Sequence, residues 1–312
     1  MTAATAVLDR RTWLYLKLYP GHLDLLDATL TEVVAPLVEQ VAPCATRWFY
    51  LRYLDGSGPH IRLRFLVDQS QADLLVLQRP ALLAQLNLLT GWPGRAPLPV
   101  LPALPAGDAR SRPDVRFDLY EPEYAKWGGP QCLETAEQVF QASSETALQL
   151  VAASDGTVEY RLALGRLIVA QLLDGLGLSE AEREVFLGTH YAWWSGLKHA
   201  SPADGAARDG NLRTAHGQVR TAVLETSERL AEAGHLLDMV KLLCADMLIG
   251  IEKRGAHQKP MYLAFHHLHL TLNRLGIAPV EEALVSLLAG PAPAPGAATS
   301  TRNPSAFPSE ES

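Results

Sequence analysis

The stretch Trp48–Phe65, WFYLRYLDGSGPHIRLRF, sets the first half of the fold. In its second part, His60, Arg62 and Arg64 alternate with Ile61, Leu63 and Phe65. Successive strand side chains point to opposite faces, so this pattern predicts a half-buried strand with two guanidinium groups side by side, roughly 7 Å apart. The first part, Thr46–Leu54, is rich in aromatic residues and reads as a partner strand. The Asp-Gly and Gly-Pro steps between the two mark a hairpin turn. Arg52 lies on the partner strand, on the face it shares with Trp48 and Tyr50, and register decides whether it joins Arg62 and Arg64.

Working outward, TWLYLKLY (Thr12–Tyr19) and VRFDLY (Val115–Tyr120) also read as strands. Helical apolar spacing covers Leu23–Val41, and a second helix lies within Gln71–Thr90, started or interrupted by Pro80. Gly91–Asp114 is rich in Pro, Gly and Ala and is either a loop over a site or a linker. Helices are expected over Gln131–Ala153, Glu159–Leu176, Ser179–Leu197, Asn211–Glu252 and Pro260–Leu288. Residues 291–312 have the composition of a disordered tail. The expected fold is α+β, one domain over residues 1–290. It carries a mostly antiparallel sheet with packed helices to about residue 120 and is helical after about residue 130.

With 312 residues and 48% apolar content, the chain can bury a sizeable core. Its 20% charged residues and net charge of -7 argue against the basic surface of a non-specific nucleic-acid binder. A local basic pocket for an acidic ligand is still compatible with that balance. The longest apolar runs are broken by Gln, Arg and Pro, so no membrane span is expected. The start, MTAATAVLDRRTW, lacks an apolar core followed by a cleavage site, so a cytoplasmic location is expected. The three cysteines, Cys44, Cys132 and Cys244, form no CxxC pair and read as small buried hydrophobes. No metal, nucleotide or flavin motif appears, so no cofactor is expected.

Four constellations can carry chemistry. Arg62 and Arg64 suit a bidentate grip on a carboxylate or phosphate, or else form the solvated side of an amphipathic sheet. In YEPEYAKWGGPQCLETAEQVF (Tyr120–Phe140), Glu121 and Glu123 flank Pro122, and Lys126 follows before a Gly-Gly-Pro turn. Glu123 and Lys126 there either orient a reacting group or make an ordinary ion pair. In YLAFHHLHLTLNRLG, Tyr262, His266, His269 and Asn273 fall on one helical stripe. Such histidines serve as a general base, as metal ligands, or as hydrogen-bonded core residues; His266 and His269 lack a third ligand nearby in sequence. In HYAWWSGLKHASP (His190–Pro202), Trp193 and Trp194 beside Ser195, Lys198 and His199 either line a pocket or anchor a helix end. No GxSxG turn surrounds Ser195.

Taken in order, WLYLKLY, WFYLRY with HIRLRF, YEPE…GGP…AEQVF and HLHLTLNRL resemble the C-terminal domain of lanthipeptide dehydratases. The same domain occurs free-standing as thiopeptide-type bacteriocin biosynthesis proteins. The resemblance spans roughly Thr12–Leu288. It implies a lyase of ribosomal peptide antibiotic biosynthesis. A separate tRNA-dependent enzyme glutamylates Ser or Thr of a leader-bearing precursor, and this domain expels glutamate to leave dehydroalanine or dehydrobutyrine, without touching tRNA itself. By motif, Arg62, Arg64, Glu123 and His269 take the family's site positions. Lys126 stands where the family usually has Arg, Trp127 where it has Tyr or Phe, and Ser143-Ser144 where Asp-Ser is common. Arg52, Tyr262, His266, Trp193 and Trp194 are candidates for substrate binding. Free-standing relatives on this scaffold also act as pyridine synthases, joining two dehydroalanines in a formal four-plus-two aza-cycloaddition with loss of the leader peptide. A third alternative is a non-catalytic subunit that binds the leader by strand addition. Homodimerisation stays open.

Overall fold

The computed structural model describes residues 11–89, 112–197, 200–252 and 259–290. The Pro-rich loop expected over Gly91–Asp114 therefore lies almost wholly outside the described residues, as do the tail over 291–312 and the start of the chain. The chain falls into two compact units, the first ending at Pro122 and the second taking up from Glu123.

The first unit holds one four-stranded antiparallel sheet in the order β2-β3-β1-β4. Its strands are β1 (Arg11–Tyr19), β2 (Arg47–Asp55), β3 (Gly58–Asp68) and β4 (Asp114–Asp118). The hairpin is tighter than DGSGP suggested: Asp55 pairs with Gly58, leaving Gly56-Ser57 as a two-residue loop. The Asp55 carboxylate accepts the Ser57 N–H at 2.8 Å, which holds that loop. Leu16, Leu18, Ile61, Leu63, Phe65 and Val115 are fully buried on one face of the sheet.

Leu23–Val41 does not form one regular helix. It runs through a 3-10 turn (Leu23–Leu25), α1 (Leu26–Ala28), a π turn (Thr29–Val34) and α2 (Ala35–Val41). Pro36 explains the wide turn, because it lacks the N–H that would continue the ladder and its ring crowds the preceding turn. Pro80 has a milder effect: α3 (Gln69–Leu77) stops and α4 (Arg79–Leu88) restarts, with Pro80 near the head of α4.

The second unit is helical, with α5 (Pro130–Ala152), α6 (Val158–Gly175), α7 (Glu180–Trp194), α8 (Pro202–Glu232), α9 (Gly234–Glu252), α10 (Pro260–Arg274) and α11 (Pro279–Ala289). Two expected long helices are each two. Asn211–Glu252 breaks at Ala233, and its first half begins earlier, where Ser201 caps the Asp204 N–H. Pro260–Leu288 breaks where Gly276 takes φ 80°, with its N–H on Asn273 and the Ile277 N–H on Leu272, before Pro279 opens α11. Helix α6 is apolar nearly all round and packs against α8, α9 and α11. In turn α11 packs on α7, and α10 on α5 and α9, which fixes the histidine helix in the bundle. Cys132 and Cys244 are buried as expected, but Cys44 is exposed because it lies in the 3-10 turn leading to β2. Among the described residues no helix is long and apolar enough to cross a membrane.

Candidate functional site

The register of the first unit sorts the arginines. Arg62 stands opposite Lys17 and Leu51, and Arg64 opposite Tyr15 and Phe49, all on one face. Arg64 is 7% exposed, its guanidinium carbon 4.2 Å from the Tyr15 ring centroid, 5.3 Å from Phe49 and 5.2 Å from Tyr120. The guanidinium of the half-buried Arg62 lies over Tyr53 at 3.2 Å, and its Nε donates to His60 Nε2 at 3.3 Å. This face is an aromatic-walled cationic surface, and the plain solvated face considered from sequence does not describe Arg64. His60 is fully buried between Tyr19 and Tyr53, and burial pulls its pKa down to about 4.

Arg52 does not join them. It stands opposite Ile61 on the other face, where its guanidinium meets the Asp27 carboxylate at 2.5 Å. The side chain is nearly buried, so removing it takes an ion-pair partner from a partly buried carboxylate. Arg52→Ala is expected to lower stability by about 1–3 kcal/mol, read as a lower urea midpoint with an unchanged slope.

In the second unit, Lys126 lies 3.4 Å from both oxygens of the exposed Glu123, the ion pair anticipated as the ordinary alternative. Gly128 and Gly129, at φ 89° and 104°, then turn the chain into α5. Trp127 is buried against Phe140 at 4.8 Å and His267 at 4.6 Å. Ser144 accepts a hydrogen bond from Arg274 Nε at 2.9 Å, so Trp127 and Ser144 serve packing and hydrogen bonding within this unit.

Helix α10 brings Tyr262, His266 and His269 to one region. Tyr262 meets His266 edge-on at 4.3 Å, and His269 stacks on Trp194 at 4.1 Å. Trp194 in turn stacks on Phe265, which Trp193 meets edge-on at 5.8 Å. His269 Nδ1 is 2.8 Å from Glu282 Oε1 on α11. Glu282 Oε2 lies 3.6 Å from His190 Nε2 on α7, and His190 Nδ1 is 2.8 Å from Ser286 Oγ. Glu282 and His190 are 0% and 1% exposed, whereas His269 is 22% exposed and reaches solvent. Burial, with Lys126 and Arg274 nearby, holds His269 as a free base with pKa about 4. Burial, helped by the charge of Glu281, raises the Glu282 carboxyl well above the usual range. Burial lowers His190 to about 3. Among the described residues no group of three or more His, Cys, Asp or Glu is arranged to hold a metal ion. Ser195 donates to Ala192 O at the end of α7, and Lys198 and His199 lie outside the described residues.

Sequence reasoning missed Glu282, His190 and Ser286. A signal existed: in PVEEALVSLLA, Glu281 accepts the Ala278 N–H at 2.8 Å and so accounts for one acid of the first turn. Glu282 and Ser286, four apart on the apolar side, are left unexplained by capping.

The description "Lantibiotic biosynthesis dehydratase C-term" belongs to the family model that matches residues 13–290. No curated protein sequence matches the chain. Among solved structures, the pyridine synthase TbtD from thiomuracin biosynthesis is 16% identical with a TM-score of 0.61, over 89% of this chain and 96% of that one. TsrL is 17% identical with a TM-score of 0.59, over 89% and 93%. The tRNA-dependent lantibiotic dehydratase MibB from Microbispora sp. 107891 is 21% identical with a TM-score of 0.48 over 93% of this chain, which spans 28% of the dehydratase. The two structures above a TM-score of 0.5 share the fold, and the family match covers both units from Trp13 onward: the chain belongs to the C-terminal family of lantibiotic biosynthesis dehydratases.

Proposed function

We propose that this protein eliminates glutamate from glutamylated Ser or Thr of a leader-bearing precursor peptide, as a lyase working after a separate glutamylating enzyme. The observation that carries the reading is His269: a free-base imidazole stacked on Trp194, with Nδ1 engaged by Glu282, so that Nε2 is the ring nitrogen left for a reacting proton. The step balances simply. Nε2 takes the Cα proton, the C–H pair becomes the Cα–Cβ double bond, and the Cβ–O bond breaks with its electrons leaving on the glutamyl carboxylate. Lys126, in the same unit as His269, adds positive charge where negative charge develops, and Arg62 and Arg64 are the sheet unit's candidates for gripping an acidic group. Glu123 holds Lys126. The net charge of -7 accords with the tRNA being handled by the partner.

A second reading, pyridine synthesis, is favoured by the aromatic cluster that continues from Trp194, on which His269 stacks, to Phe265 and Trp193, which suits holding two alkenes together. TbtD, which shares the fold, is a pyridine synthase. Mass spectrometry on two peptides separates the readings. Loss of glutamic acid from a peptide glutamylated at Ser is expected. Leader release with a pyridine macrocycle, from a peptide carrying two dehydroalanines, would establish the other. Under the first reading, Arg62→Ala is expected to lower kcat/KM by about 10–100-fold, the loss of one charge-assisted contact, while glutamylated peptide accumulates. Normal turnover by the folded variant would remove the arginine from the mechanism.

A further inference from the structure

One row of side chains on the arginine face of the sheet runs Leu51, Arg62, Lys17 and Arg116. Its three cations are held differently. Lys17 is paired with Asp118, and Arg116 with Asp114 at 2.8 Å. Among the described residues no ion pair involves Arg62. Its guanidinium lies on the Tyr53 ring, and its Nε meets His60 Nε2 at 3.3 Å. His60 Nδ1 is 3.2 Å from the Gly58 carbonyl oxygen. A backbone carbonyl only accepts and an arginine Nε–H only donates, so both neighbours require the same ring: a proton on Nδ1 and a lone pair on Nε2. The other tautomer would set lone pair against lone pair at Gly58 and N–H against N–H at Arg62, around a ring that is 0% exposed. The Asp55 carboxylate stands 3.9 Å from Nε2, beyond hydrogen-bond reach, and takes the Ser57 N–H and the Tyr19 hydroxyl instead.

A guanidinium offers a carboxylate two kinds of edge, Nε with one terminal amino group or the two terminal amino groups end-on. Committing Nε to His60 closes the first. We infer that His60 is a positioning residue for Arg62: by accepting from Nε against the Tyr53 ring, it leaves the end-on pair of amino groups as the receptor for a planar carboxylate. Placing a glutamyl carboxylate there rests on the elimination reading; the positioning does not. Burial keeps His60 neutral at assay pH, and only a neutral ring has the lone pair that Arg62 needs.

His60→Phe keeps a ring between Tyr19 and Tyr53 but has no acceptor, whereas His60→Gln restores an amide oxygen that accepts from Nε. With free glutamate as the probe in isothermal titration calorimetry, His60→Phe is expected to bind about tenfold more weakly and His60→Gln within about threefold of wild type. In the elimination assay the same loss is expected in KM, with kcat little changed. Because His60 acts through Arg62, the double variant Arg62→Ala with His60→Phe is expected to bind no more weakly than Arg62→Ala alone. Additive losses would make His60 a packing residue and overturn the inference, as would a folded His60→Phe that binds like wild type. Nitrogen-15 NMR of the wild type at neutral pH reads the ring without relying on any variant's fold, with the signal assigned through the His60 backbone. An Nδ1–H ring supports the inference, and an Nε2–H or doubly protonated ring overturns it. Failure of the wild type to bind glutamate overturns the receptor. If glutamate binds with this dependence on His60 but no peptide loses glutamate, the positioning stands and the elimination reading alone fails.

Discussion

His269→Gln is expected, under the proposed elimination, to lower kcat for glutamate release by about 10²–10⁴-fold, the usual contribution of a positioned general base, with little change in KM. The variant keeps a neutral polar side chain beside Glu282 and Trp194, so its circular dichroism and thermal midpoint should stay close to wild type. A variant that folds and turns over normally would take the base away from α10. In the wild type, His269 with a pKa of about 4 is already deprotonated at every pH where the enzyme would be assayed. Its own titration therefore adds no acid limb between pH 6 and 8, and a limb found there belongs to another group.

Acid should remove the fold before it removes the base. His190, His266 and His267 are held near pKa 3, and His60 and His269 near 4, in each case chiefly by burial. An imidazole whose folded pKa lies below its unfolded value binds protons more readily when unfolded. Stability present above about pH 6.5 is therefore lost as pH falls. Between pH 6.5 and 5.5 each such histidine costs about 1 kcal/mol. Glu282 works in the opposite sense, since its raised folded pKa makes the folded chain the better proton binder in the same range. Four of the five histidines sit in the helical unit, so a loss there of up to about 4 kcal/mol, partly offset by Glu282, is expected against a total of roughly 5–15 kcal/mol. Urea midpoints measured at pH 7.5, 6.5 and 5.5 check this. A flat series would mean that the histidines are hydrated or paired in a way their burial does not suggest.

The sheet and its arginine face were legible because strict alternation leaves only one reading of HIRLRF. Arg52 was not, because a cation on an otherwise apolar strand face gives no sign that Asp27, far along the chain, is its partner. Helix ends were partly legible: Gly276 and Pro279 carried the break, but an unbroken apolar period masked it, and at Ala233 only Gly234 hinted at one. His269 was singled out only through the resemblance of its segment to a family motif. Its neighbours were hidden because Ser286, His190 and Glu282 sit on two other helices, and side chains that meet only in space leave no spacing to read.

Strand β4 pairs with Tyr15–Tyr19 of β1 although it comes after the long segment that follows α4. Dividing the gene at that segment would leave β1 with an open, aromatic edge, the kind of surface that recruits foreign strands and drives insolubility. A soluble sheet fragment therefore has to run on through Pro122. A linker or tag inserted before Asp114 has to leave β4 free to return.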